Sequence, residues 1–144
     1  MKILYDTSVV FAALISSHPS HHACFPELNM ARSRQVQGFI STHSLAELYS
    51  ISTRYPIQPK VSPQEASALI ADMISYLEPV TLTPEIYQAA IAQMVALNLP
   101  GGGIFDTLIA QAALSINADQ LLTLNPKHFT RISSSIANLV RVPA

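Results

Sequence analysis

Three acidic residues, Asp6, Glu47 and Asp106, stand in this 144-residue chain where short apolar runs give way to helix-like segments. Carboxylates gathered in one place repel one another and hold on to a proton unless a cation joins them. Their hard oxygen atoms favour Mg²⁺ or Mn²⁺ over zinc. Such an ion acidifies a bound water and offsets phosphate charge, and two ions about 3.5–4 Å apart clamp the attacking and leaving oxygens of a phosphodiester. Phosphodiester hydrolysis is therefore the chemistry these residues would serve if the fold brings them together. On spacing alone, an acid at a helix start reads equally as a cap or a partner of the helix dipole.

The elements that must position them follow from periodicity and punctuation. Residues 2–5 are an apolar run stopped by Asp6, as expected of a buried strand. Thr7 and Ser8 can cap a helix over residues 9–15, and a further segment over 18–34 contains Pro26, which should kink or interrupt it. A second strand over 37–41 leads into a helix starting at Thr42 or Ser44, with Glu47 in its first turn. Ser62-Pro63-Gln64-Glu65 opens a helix to about residue 77, and Thr83-Pro84-Glu85 opens another to about residue 97. A strand over 79–82 separates them. After the Gly101–Gly103 loop, residues 104–116 form a helix with Ile104, Phe105, Leu108, Ile109, Ala112 and Ala113 on its apolar face. A strand over 120–123, a helical turn over 126–130 and a strand over 137–142 complete the chain.

Strands alternating with helices predict a single α/β domain over residues 1–144, with a mainly parallel central sheet and helices on both faces. Sites in such sheets lie beyond the carboxyl ends of the strands. Asp6, Glu47, Asp106 and Asn125 all fall at such ends and can converge on one edge.

Composition excludes several classes. Apolar residues make up 49% and charged residues 12%, against disorder. That ratio also predicts more apolar surface than one small domain hides, hence a dimer or a tight protein partner. The net charge is −1, so global electrostatics give no support for tight non-specific nucleic-acid binding. RNA contact would rest on local positives such as Arg54, Lys60, Lys127 and Arg131. Cys24 is the only cysteine, so no disulfide can form within the chain, in keeping with a reducing, cytoplasmic setting. No apolar run is long enough for a bilayer.

Four segments carry a family resemblance. Ile3-Leu4-Tyr5-Asp6-Thr7-Ser8-Val9 resembles the opening of the PIN domain. His43-Ser44-Leu45-Ala46-Glu47-Leu48-Tyr49 resembles its second acidic motif, and Gly102-Gly103-Ile104-Phe105-Asp106-Thr107-Leu108-Ile109-Ala110 its third. Leu122-Thr123-Leu124-Asn125-Pro126-Lys127-His128-Phe129 resembles its last. Order, spacing and nearly the full length are similar to VapC-like toxins of bacterial toxin–antitoxin pairs. The resemblance implies a Mg²⁺- or Mn²⁺-dependent endoribonuclease, dimeric and held inactive by a cognate antitoxin. It implies Asp6 and Asp106 as metal ligands and Glu47 as a third acid and water activator. Thr123 matches the hydroxyl residue near the site. Asn125 stands where many PIN domains carry a fourth acid; its amide oxygen can still reach a metal or its water but brings no charge.

Other signals point elsewhere. His18, His21, His22 and Cys24 match no standard zinc spacing, and the histidines read as the surface face of a helix. His43 and His128 flank two of the motifs and read first as capping or packing residues, with phosphate contact as the alternative. The Gly101–Gly103 run lacks the Lys-Ser/Thr of a P-loop and lets the backbone turn. Ser8 and Ser44 lack a nucleophile-elbow context, and Asp119 reads as a turn residue. Two competing functions remain: a non-catalytic PIN-like module binding protein or RNA, and a phosphotransferase using Asp6 as nucleophile. Ser8 argues against the second, because it stands where a second acid would.

Overall fold

Alternation along the first strand, β1 (Lys2–Tyr5), sets the layering. Successive side chains point to opposite faces of a strand. Ile3 and Tyr5 enter one apolar layer, and Leu4 enters the other. In the computed structural model, which describes residues 1–144, β1 is the middle strand of a five-stranded parallel sheet. The others are β2 (Gln37–Ser41), β3 (Leu77–Val80), β4 (Gln120–Leu122) and β5 (Val140–Arg141), in the order β3-β2-β1-β4-β5.

The layer holding Ile3 and Tyr5 is covered by α1 (Thr7–Leu14), α2 (His21–Arg32), α3 (Thr42–Arg54) and α4 (Pro63–Ile74), through Val10, Leu28, Leu48 and Met73. The layer holding Leu4 and Leu121 is covered by α6 (Gly103–Ser115), α7 (Pro126–Thr130) and α8 (Ser134–Ala137), through Ile109, Phe129 and Ile136. The remaining helix, α5 (Pro84–Ala96), packs on α6. No helix is long and apolar enough to cross a membrane. Close approach of α2 to the sheet depends on Gly38: a Cβ there would lie 2.4 Å from Leu77 Cδ2 and 2.8 Å from Ala31 Cβ.

The α/β architecture matches the expected one, and its differences have local causes. Pro26 lies inside α2 without ending it. It costs the bond to the His22 carbonyl, but Pro26 and His22 are both exposed, so water can serve that carbonyl. The fourth helix stops at Ile74, and Leu77 begins β3 by pairing with Gly38, where the periodic pattern had extended the helix to 77 and started the strand at 79. Residues 137–142 are not one strand. Ser133 accepts from the Ile136 amide and caps α8, leaving only Val140–Arg141 to pair with β4. Phe105 is not in the core; it is 49% exposed on the first turn of α6.

The chain builds outward from β1 through β2 and β3, then returns to the other side of β1 with β4. The crevice beyond the carboxyl ends of β1 and β4 is thus the topological switch point, where open α/β sheets bind ligands.

Candidate active site

Asp6 is the first residue past β1, and its backbone N–H donates to the Leu122 carbonyl at 2.9 Å, continuing the β1–β4 pairing. It occupies the N-cap position of α1, yet its carboxylate makes no capping bond. Instead Oδ2 accepts from Ser8 Oγ and Thr123 Oγ1, each at 2.7 Å. Both donors are themselves held: Ser8 Oγ accepts from the Leu124 amide at 3.1 Å, and Thr123 Oγ1 from the Asn125 amide at 2.9 Å. Oδ1 has no protein donor. No enclosed polar side-chain atom lacks a partner, so this second oxygen is open to the crevice.

Glu47 is the sixth residue of α3, past the first turn, because the cap is Ser41 rather than Thr42 or Ser44. Ser41 Oγ accepts from the Ser44 amide at 3.2 Å. Glu47 Oε1 accepts from Thr7 Oγ1 at 2.8 Å, and Thr7 Oγ1 lies 2.7 Å from Ser44 Oγ. A hydroxyl has one proton and a carboxylate can only accept. Thr7 therefore gives its proton to Glu47 and receives one from Ser44, whose oxygen lies 3.0 Å from Ser41 Oγ. A buried relay of three hydroxyls thus aims Glu47.

Asp106 sits in the first turn of α6, and its Oδ2 lies 3.4 Å from His128 Nδ1 on α7. His43 Nε2 lies 3.7 Å from Glu47 Oε1 one helical turn away. Each helix acid therefore has a histidine beside it. The two histidines that read first as packing residues are placed at the acids.

The electrostatics reflect this convergence. Burial pushes the Asp6 carboxyl up to about 6; the Ser8 and Thr123 hydrogen bonds oppose that rise, while the Asp106 and Glu47 charges add to it. Burial also raises Asp106 above the ordinary carboxylate value; His128, Arg131 and His43 counter it, and Glu47 adds to it. The acids sense one another, and no Lys or Arg forms an ion pair with any of the three.

Asn125 takes part differently. Its backbone amide holds Thr123, but its side chain is exposed and makes no hydrogen bond. No three His, Cys, Asp or Glu side chains stand close enough to form a closed metal cage. Mg²⁺ does not need one, since it keeps several waters and uses one or two carboxylates. An open oxygen of Asp6 beside Asp106, both carboxyls held above their ordinary values chiefly by burial, is a donor set that fits such an ion.

Thr7, Ser41 and Ser44 were not singled out by sequence as site residues, whereas Arg131 was named there as a positive for RNA contact. Only the adjacency of Thr7 to Asp6, and the place of Ser44 within the Glu47 motif, hinted at the relay. His18 and His21 serve packing, and His22 is exposed. His18 meets Phe11 edge-on and accepts from the Ser20 amide, and His21 Nδ1 lies 3.0 Å from the Ala12 carbonyl. Cys24 is enclosed, its thiol pushed up to about 11 by burial. Asp119 accepts from the Lys2 amide, as a turn residue does.

Comparison with known proteins gives a consistent picture. The family model described as PIN domain matches residues 3–134. Ribonuclease VapC40 of Mycobacterium tuberculosis is 31% identical over 120 residues, covering 82% of each chain. Ribonuclease VapC27 of the same species is 27% identical over 114 residues, covering 79% of this chain and 78% of the relative. Among solved structures, VapBC2 from Rickettsia felis bound to a promoter DNA fragment superposes with a TM-score of 0.69 over the whole of both chains, at 22% identity. VapBC-1 from nontypeable Haemophilus influenzae gives 0.67 at 21% identity, covering 99% and 98%. At those identities the structures speak for the fold alone.

Proposed function

The chain belongs to the PIN domain family, and from that premise we propose that it is a ribonuclease toxin of a toxin–antitoxin pair, hydrolysing RNA phosphodiester bonds with Mg²⁺ or Mn²⁺. Its curated relatives are named ribonucleases. One observation of the molecule itself carries the reading. Asp6, 4% exposed at the switch point, has one oxygen fixed by two hydroxyls and the other left open beside Glu47 and Asp106.

Asp6 and Asp106 are the residues that would hold the metal. Bound there, it would supply charge neutralisation at the phosphate and an acidified water. Thr123 and Ser8 orient Asp6. Thr7, backed by Ser44, orients Glu47, whose carboxylate takes the proton of the attacking water. Arg131, close to Asp106, offers positive charge to the phosphate, and the His128 ring beside Asp106 offers it a hydrogen bond. Asn125 brings no charge, so a single ion suits the site better than two.

An antitoxin and a second copy of the chain belong to the same reading. Resemblance to structures of VapBC pairs supports the first. Tyr87, Ile91 and Val95, exposed at successive turns of α5, support the second.

The test is incubation of several RNAs with Mg²⁺ or Mn²⁺, with and without chelator. Cleavage is expected only with metal, and loss of cleavage in Asp106→Asn. Cleavage without metal, or unchanged in that variant, overturns the proposal. Titration of Mn²⁺ by calorimetry separates it from a non-catalytic binding module, for which no Asp6-dependent metal binding is expected.

A further inference from the structure

Beside the acids, one face of α3 leads away from the site. His43, Glu47, Ser50, Ile51 and Arg54 recur at helical spacing, so they line a single side of that helix. Phe105 of α6 stands opposite, and together these six residues enclose a cleft of about 230 Å³. The His43 and Phe105 rings are parallel within 2°, with centroids 5.0 Å apart. Phe105 is 49% exposed and immediately precedes Asp106. At the far end of the stripe, Arg54 is exposed and forms neither an ion pair nor a hydrogen bond. Glu47 and Arg54 are seven residues apart, about 10 Å along the helix axis.

We propose that this cleft is a nucleotide subsite of the RNA strand: a base flanking the scissile phosphate stacks on Phe105, and its backbone phosphate meets Arg54. This assignment rests on the ribonuclease reading above. The chemistry favours a single-stranded nucleic acid over a peptide. Along this face an aromatic platform beside the carboxylates is followed by an unpaired guanidinium, an order that takes a base next to the reaction centre and a backbone phosphate beyond it. Stacking on an aromatic face tolerates any base, and Arg supplies the phosphate contact. His43 stacks against the same ring and lies 3.7 Å from Glu47, so it holds Phe105 in register with the acid. Phe105 and Arg54 are binding residues in this scheme, and His43 is a positioning residue.

The probe is a short single-stranded RNA carrying 2-aminopurine at each position in turn, bound in Mn²⁺ to the Asp106→Asn variant so that the strand stays intact. Fluorescence quenching is expected at one position, and Phe105→Leu in the same background should abolish it and weaken binding roughly tenfold. Arg54→Gln should weaken binding and reduce the slope of log affinity against log salt by about 0.7, the contribution of one single-strand phosphate. In the protein with Asp106 intact, Phe105→Leu should raise KM more than it lowers kcat. An abasic nucleotide at the quenched position should mimic Phe105→Leu and add nothing to it.

Quenching at no position, or quenching and salt slope unchanged in both variants, overturns the subsite even if metal-dependent cleavage is intact. Position-specific quenching lost in Phe105→Leu, in a protein that cleaves no RNA, upholds the subsite and overturns the nuclease reading. If Phe105→Leu folds poorly, Arg54→Gln and the abasic strand still decide.

Discussion

The Thr123 hydroxyl donates to Asp6 Oδ2 at 2.7 Å across 117 residues of sequence. It joins the ends of the two strands that meet at the switch point, since Asp6 follows β1 and Thr123 follows β4. The same oxygen accepts the Asn125 amide, so one side chain fixes both a carboxylate and the turn into α7.

Replacing Thr123 with valine keeps the shape and removes the hydroxyl. Asp6 loses one of its two donors, and the Asn125 amide loses its acceptor. Groups orienting a metal ligand are worth about 10–100-fold in metal affinity or activity. Thr123→Val is therefore expected to lower Mn²⁺ affinity and RNA cleavage by that range and to cost about 1–3 kcal/mol of stability through the stranded buried groups. Thr123→Ser should recover most of both. Calorimetric Mn²⁺ titration and thermal melts of the two variants check this.

How much of this was legible in the sequence depends on the range of the interaction. The buried strands read clearly because parallel strands covered on both faces are apolar runs. The helices opened by Ser62-Pro63 and Thr83-Pro84 read clearly because the cap is local, and both hydroxyls accept the expected amide. Asp6, Glu47 and Asp106 read as candidates from their places at strand ends and helix starts, and the motif resemblance grouped them. Leu77 was ambiguous because an apolar residue after a helix can continue it or begin a strand; pairing with Gly38 decides, and that is non-local. Phe105 was assigned to the core because its spacing fits, yet it lies on the side of α6 that stays half-exposed, with the His43 ring stacked against it. The Thr7–Ser44 contact spans 37 residues and has no periodic signature at all.

Gly38 is expected to resist even the smallest side chain. Its Cβ would meet Leu77 Cδ2 at 2.4 Å and Ala31 Cβ at 2.8 Å, both inside the packed layer between α2 and the sheet. Gly38→Ala should destabilise the protein by about 1–3 kcal/mol through overpacking. Leu77→Val shortens the nearer neighbour, so the double variant should lose less than the sum of the two singles. Denaturant melts of the three variants measure that coupling; strict additivity would show that the clash is relieved elsewhere.

The edge of the sheet is tied down by Arg141. Its guanidinium donates to both Glu27 carboxylate oxygens at 2.7 and 2.9 Å, and its Nε donates to Gln120 Oε1 at 2.8 Å. This clamp joins β5 to α2, and the Arg141 carbonyl accepts the Thr123 amide at 3.1 Å. Arg141 is partly exposed, which weakens the charge contribution. Arg141→Met should cost about 1–2 kcal/mol, with a smaller loss of cleavage than Thr123→Val because the backbone bond to Thr123 survives. A double cycle with Glu27→Gln should show positive coupling, measured by denaturant melts at low and high salt.

The buried charge of Asp6 makes a prediction about pH and metal together. Its folded-state carboxyl titrates near 6, above the ordinary value of 3.8, chiefly because of burial. Between those values the folded chain holds a proton that the unfolded chain has released. Stability of the metal-free protein therefore falls as pH rises from about 4 to about 6, and stays low above that range. The full effect is at most about 3 kcal/mol, and other carboxylates titrating below pH 5 will oppose it at the acid end. Asp6→Asn removes the buried charge, so in chelator at pH 7 it should melt higher than the parent protein and lose this part of the pH dependence. Mn²⁺ should raise the parent's melting temperature at pH 7 and leave Asp6→Asn unmoved, because ligand binding to the folded state stabilises it. Below pH 6 the proton competes with the ion, so the Mn²⁺ effect on the parent should shrink. Thermal melts across pH 4.5–8, with chelator and with Mn²⁺, read all three outcomes. A variant that melts lower than the parent in chelator at pH 7 would mean that Asp6 serves the fold through its hydrogen bonds more than it burdens it with charge.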